Sequence, residues 1–142
     1  MIKADYIILG AGASGLMLGY RMANDSFFND KSIIIVDKEA NKGNDRTWCY
    51  WEESMGEWDS ILTKSWHKIY FGSSGFKKEY AAKPYSYKMI RSANFYEFLW
   101  EDIKKQPNIR FVSDTVIGFE DQGNQVIIDG HSDSYEAKKS LQ

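Results

Sequence analysis

With one cysteine, Cys49, the chain has no intrachain disulfide to form and no thiolate cluster to offer a metal. Histidine is nearly as scarce. His67 and His131 lie in unrelated segments, and exposed or hairpin-packed rings are the expected reading of both. Two prolines and no low-complexity stretch argue against a stiff linker or a disordered tail. Charge of one sign does not accumulate either. The 18 basic and 20 acidic residues are mixed along the sequence, net −2, so no nucleic-acid partner is indicated. Apolar runs are short, and Met1-Ile2-Lys3 leads straight into a strand, so neither a signal peptide nor a spanning helix is expected. A reducing cytoplasm is the location this cysteine usage suggests.

Aromatic residues are abundant: Trp, Tyr and Phe make up 15% of the chain, crowded between Trp48 and Trp100. Strands favour them and they bury large areas, so core and hairpin packing is the first reading. A lipid-facing or isoprenoid-binding surface is the alternative.

Ile7-Ile8-Leu9 is a short apolar strand that stops at Gly10. From Ser14 the apolar spacing becomes helical through Leu16, Gly19 and Tyr20, and Asn24-Asp25-Ser26 ends it. Ser32-Ile33-Ile34-Ile35-Val36 is a continuous apolar run of the kind buried on both faces in a parallel sheet. Strand, helix and strand make a βαβ crossover, expected over residues 5–37. Residues 40–45 read as a loop. The aromatic stretch 47–51 fits no regular element by its pattern, and Trp48 and Trp51 would share a face if it were helical or turn-like.

Residues 64–72 and 77–82 read as a hairpin around Ser73-Ser74-Gly75, and residues 85–90 as a further strand. Ser92 is expected to cap a helix whose apolar face is Phe95, Leu99 and Ile103. Lys104-Lys105 suits its last turn, and Pro107 stops it. Residues 109–112 are expected to be a third parallel strand. Residues 115–120 and 125–129 form a hairpin that residues 134–137 extend.

Gly10-Ala11-Gly12-Ala13-Ser14-Gly15 fits G-x-G-x-x-G, and its place between strand and helix gives it meaning. Gly10 allows a tight turn, Gly12 lets backbone approach a pyrophosphate, and Gly15 lets helix pack on strand. The helix N-terminus, with Ala13 and Ser14, then presents N–H groups to phosphate. Asp37, at the end of the second strand, is the acid expected to accept from ribose hydroxyls, with Glu39 in reserve if the strand runs longer. Lys38, beside it, is grouped with the cofactor-facing residues. The ligand implied is an ADP moiety, which FAD and NAD share. The fold class is α/β: a Rossmann-like FAD/NAD(P)-binding parallel sheet with a β-hairpin or meander excursion, in one domain over residues 1–142.

Beyond the fingerprint, Asp45-Arg46-Thr47-Trp48-Cys49-Tyr50-Trp51-Glu52 resembles the D-x-x-T-W-C-F-W-like stretch of the lycopene cyclase flavoproteins, of the lycopene β-cyclase type. Lys64-Ser65-Trp66 and Tyr87-Lys88-Met89-Ile90-Arg91, followed by Phe95, are similar too. Tyr50 stands where Phe is usual, which keeps the ring. The resemblance implies FAD as cofactor, with NADPH as a reductant for complete members. It also implies cyclisation of carotenoid ends, a net isomerisation that uses reduced flavin. Arg91, opening a helix, and Arg46 are by this resemblance residues near FAD; helix-capping or surface arginines are the alternative for both. A carotenoid partner is expected only of a full-length protein, with peripheral contact at the inner face of the membrane. The family continues beyond the point matching Gln142, so the chain is expected to be a fragment without the catalytic half. The competing readings are a piece of another FAD-dependent monooxygenase or oxidoreductase, and a nucleotide-binding domain without turnover.

Four further residues carry modest expectations. Glu52-Glu53 reads as a pair of solvated loop charges, Asp5 as an edge charge, and Cys49 as a small buried hydrophobe with no group to lower its pKa.

Overall fold

The computed structural model describes residues 1–141. In chain order its elements are β1 (Ile2–Leu9), α1 (Ala13–Ala23), β2 (Ile33–Asp37), β3 (Thr47–Glu53), β4 (Lys64–Trp66), β5 (Lys68–Ser73), β6 (Phe76–Ala81), β7 (Tyr85–Arg91), α2 (Ser92–Lys105), β8 (Ile109–Ser113), β9 (Val116–Asp121), β10 (Val126–Gly130) and β11 (Ser134–Leu141). Single 3-10 turns lie at Ser26–Phe28 and Asp59–Ile61. The chain divides into two compact units, residues 1–42 with 96–142, and residues 43–95.

The first unit is built on a six-stranded sheet ordered β8-β2-β1-β11-β10-β9. The four strands from β8 to β11 run parallel, and β10 and β9 are antiparallel. This is the expected α/β architecture, with β8 as the third parallel strand. Ile33, Ile34, Ile35 and Val36 of β2 are all buried, as a strand covered on both faces must be. On one face Ile7, Ile34 and Val36 pack with Val126, Ile128, Tyr135 and Ala137. On the other, a Cβ on Gly19 of α1 would stand 3.0 Å from Ile35 Cδ1 and 3.3 Å from Ile103 Cδ1. The missing side chain thus sets how closely α1 lies on the sheet. Each fully buried Ile or Leu contributes about 1.5–3 kcal/mol.

The meander β9-β10-β11 closes onto β1, with Ile2 opposite Tyr135 and Ala4 opposite Ala137. A carboxylate holds its turn together. Asp114 accepts from Tyr135 Oη at 2.6 Å and from the backbone N–H of Thr115, Ser132 and Asp133. The Tyr135 hydroxyl, then those backbone donors, bring its pKa down to about 2 against the pull of burial. Asp5 is more than an edge charge. It accepts from Lys138 Nζ at 2.7 Å and from Ser32 N–H and Oγ at 2.9 and 3.0 Å, which clasps β1 between its two neighbours.

The second unit holds a three-stranded antiparallel sheet ordered β3-β7-β4 and the β5–β6 hairpin. Residues 64–72, expected as one strand, break at His67. β4 pairs with β7, and β5 with β6. The His67 carbonyl accepts from Ala82 N–H at 2.8 Å and closes the base of the hairpin. Residues 47–51 are strand, neither helix nor turn, so residues three apart fall on opposite faces. Trp48 points inward, edge-on to Phe95 at 5.5 Å; Trp51 is 52% exposed and stacks on Tyr87 at 4.7 Å. The same alternation leaves Cys49 exposed, against the buried position expected.

Ser92 opens α2, and its Oγ accepts from Arg46 N–H at 2.9 Å, so it ties the helix start to the residue just before β3. Asn44 Oδ1 takes the Ala93 N–H at 3.3 Å in the capping role. Among the described residues, no helix is long and apolar enough to cross a membrane, and no group of three or more His, Cys, Asp or Glu is placed to hold a metal.

Candidate functional site

The site begins where β1 gives out. Gly10 has φ +101°, a conformation that L side chains rarely adopt, and its N–H donates to Val36 O at 2.8 Å. The chain therefore turns at once, beside the end of β2. Gly12 is the N-cap of α1 and carries no capping side chain; no acidic residue occupies the first turn. The first N–H groups of α1 have no intrahelical partners, and its dipole is positive at this end. A Cβ on Gly12 would meet nothing within 4 Å, whereas one on Gly15 would run into the Gly10 carbonyl. The two glycines thus do different work. Gly15 packs helix on strand, and Gly12 keeps the space over the N–H groups clear for a group such as a pyrophosphate. Ala13 and Ser14 form the first turn, with Ser14 exposed.

Asp37 is the last residue of β2, so the reserve acid Glu39 lies outside the strand. Its carboxylate is drawn into the loop. Oδ2 accepts from Ala11 N–H at 2.7 Å, and Oδ1 accepts from Glu39 N–H and Lys42 Nζ, both at 3.0 Å. Burial alone would raise its pKa, but these donors together hold it below the ordinary carboxylate value. The acid and the glycine loop, 26 residues apart, are thereby one structure. Lys38 is exposed, and its carbonyl accepts from Ser113 Oγ at 3.1 Å. Lys42 was not singled out by the sequence reading; a lone lysine in a polar loop gives no signal until the chain folds back.

Arg46 and Arg91 belong to the second unit, both exposed, at the same end of the β3–β7 ladder. Arg91 pairs with Thr47, and Arg46 exchanges two backbone-anchored hydrogen bonds with Ser92. The same unit contains a charged cluster the sequence reading missed. Lys88, 4% exposed, donates to Glu52 Oε1 and Asp59 Oδ1, both at 2.7 Å, and to the Ser54 carbonyl at 3.1 Å. Glu52 is therefore a structural ion-pair partner on β3 and not a solvated loop charge. Burial would depress the Lys88 ammonium, yet the two carboxylates raise its pKa overall. One signal was available: Lys88 shares strand parity with Ser86 and Ile90, both inward-facing. Lys88, Asp59, Ser86, His67 and Met55 line a cleft of about 560 Å³, where His67 Nδ1 lies 3.1 Å from Ser86 Oγ.

A parallel sheet, a glycine turn into a bare helix N-terminus, and an acid at the end of the second strand define a Rossmann-like α/β fold. Solved structures of this fold agree. p-Nitrophenol 4-monooxygenase PnpA from Pseudomonas putida superposes with a TM-score of 0.72 at 14% identity, covering 99% of this chain and 40% of its own. PqsL from Pseudomonas aeruginosa, described as a probable FAD-dependent monooxygenase, gives 0.70 at 11%, covering 97% and 41%. NikD, an amino acid oxidase essential for nikkomycin biosynthesis, gives 0.66 at 10%, covering 99% and 51%. The chain thus spans about half or less of the length of these structures. No curated protein matches the sequence. The lycopene cyclase protein family matches residues 5–135, and the chain belongs to that family.

Proposed function

We propose that this chain binds the ADP half of FAD at the glycine loop and is the flavin-binding part of a carotenoid end-group cyclase. The observation that carries the reading is the clear space over Gly12, at a helix N-terminus without cap or acid and next to Asp37. A pyrophosphate fits there by charge and by room; a Cβ would fill that room. In this reading Gly10, Gly12, Ala13, Ser14 and Gly15 hold the phosphates and Asp37 the ribose, with Lys38, Arg46 and Arg91 as further cofactor-facing residues. FAD, when bound, supplies the reduced flavin that cyclisation of lycopene-type ends requires, with NADPH as the reductant of the whole protein. Family membership supports the carotenoid substrate; that substrate and a peripheral membrane setting belong to the reading of the whole protein. On its own the chain is expected to bind nucleotide without turnover.

The test is titration of FAD, ADP and NAD against wild type, Gly12→Val and Asp37→Ala. Gly12→Val is the cleaner variant, because its Cβ meets no neighbour and the fold is expected to survive. Loss of ADP and FAD binding in folded Gly12→Val is the expected result. Equal binding by all three proteins would refute the site.

A further inference from the structure

We infer that Lys42 is an internal clamp on Asp37, which a ribose has to displace before it can be held. The inference rests on the nucleotide reading of the glycine loop and adds a residue that neither the fingerprint nor the resemblance assigns. It follows from counting donors. A carboxylate offers about four lone-pair sites. Three donors already use them in Asp37: Ala11 N–H at 2.7 Å on one oxygen, Glu39 N–H and Lys42 Nζ at 3.0 Å on the other. A ribose 2′,3′-diol brings two O–H donors, so one present donor has to leave.

The three donors are not equally free to go. Ala11 N–H and Glu39 N–H are main-chain groups, one in the glycine turn and one just past β2. Releasing either means rebuilding a loop. Lys42 holds on through a flexible side chain and can swing away by rotamer changes alone. Its ion pair is no loose surface contact, since the Lys42 and Asp37 side chains are only 16% and 11% exposed. The ammonium therefore stands in for the ribose, keeping the carboxylate charged and in place while no nucleotide is there. Ligand affinity is then lowered by the cost of opening the pair, as for any site whose competent state must first be formed.

The experiment is calorimetric titration of ADP and 2′,3′-dideoxy-ADP into wild type, Lys42→Met and Lys42→Arg, each confirmed folded by circular dichroism. Lys42→Met is expected to bind ADP about three- to fivefold more tightly, the range of a single ion pair that is mostly but not fully buried. Lys42→Arg keeps the pair and is expected to stay within about twofold of wild type. Dideoxy-ADP, which has no ribose hydroxyls to compete, is expected to gain nothing from Lys42→Met. Should Lys42→Met fail to fold, Lys42→Gln carries the same expectation. Equal weakening of both nucleotides in Lys42→Met would make Lys42 a phosphate-holding cation and overturn the clamp. Unchanged ADP binding would overturn it too. Absence of ADP binding to wild type is a different failure: it removes the nucleotide reading, and the clamp falls with it.

Discussion

In the first unit the interior strand β2 is apolar from Ile33 to Val36, and its sheet is held by side chains that fill both faces. The central strand of the second, β7, carries a buried lysine, and its inward face is organised by charge. Apolar packing is non-directional and tolerates modest reshaping, while a buried ammonium demands its acceptors at fixed places. Lys88 thereby dictates a loop: Ser54 at φ +61°, Gly56 donating to Asp59 at 3.0 Å, and no room for a Cβ on Gly56 beside the Glu52 carboxylate. In the first unit the strict positions are glycines, since there the backbone itself is what must come close. One unit is specified by what is absent at Gly15, the other by what is present at Lys88.

The strongest way to break that comparison is at Gly15. Gly15→Val drives a branched side chain into the Gly10 carbonyl, a backbone group that cannot step aside. A loss of about 3 kcal/mol or more is expected in urea unfolding followed by circular dichroism. Wild-type stability in that variant would mean that helix and strand are not in contact at the glycine turn.

Lys88→Met comes next. It leaves Glu52 and Asp59 facing each other without their shared cation. Both carboxylates are about a third exposed, so water offsets part of the cost, and about 1–3 kcal/mol is expected. The triple change Lys88→Met, Glu52→Gln, Asp59→Asn should recover part of that loss if unpaired charge is its cause. No recovery would point instead to lost packing of the lysine stem.

The mildest effect is confined to acid. Asp114 and Asp5 are both lowered from 3.8 to about 2 in the folded chain, the first chiefly by the Tyr135 hydroxyl and the second chiefly by Lys138. A carboxyl lowered by folding stabilises when ionised, so its contribution is complete above the unfolded value and fades as pH falls through the folded one. The urea midpoint is expected to hold down to about pH 4 with respect to these two groups and to fall between there and about pH 2. Asp114→Asn should be less stable at neutral pH and show a shallower acid slope. A parallel slope would mean that Asp114 is not held by Tyr135.

Much of the first unit was legible because its signals are local. A β-branched run, a glycine-rich turn and an amphipathic helix each declare themselves within a few residues, and their order allows little besides a βαβ crossover. Asp37 was legible by spacing alone. The second unit was harder. Thr47–Glu53 alternates, but with aromatics on both faces its period was masked, and the strand emerged only from pairing with β7. The break at His67 was invisible for a related reason: β4 and β5 have similar composition and differ only in which partner they meet.

By itself, the sequence determined the Rossmann-like fold, the glycine turn and the acid that closes it, since each follows from backbone sterics over a short stretch. Tertiary structure alone decided which charges meet. Lys42 on Asp37, Lys88 between Glu52 and Asp59, and Asp114 beneath Tyr135 are pairings made when separate stretches of chain fold back on one another. The reason is physical. An apolar residue needs only a buried place, which periodicity announces, whereas a buried charge needs a particular partner at hydrogen-bonding distance, and that distance exists only after folding.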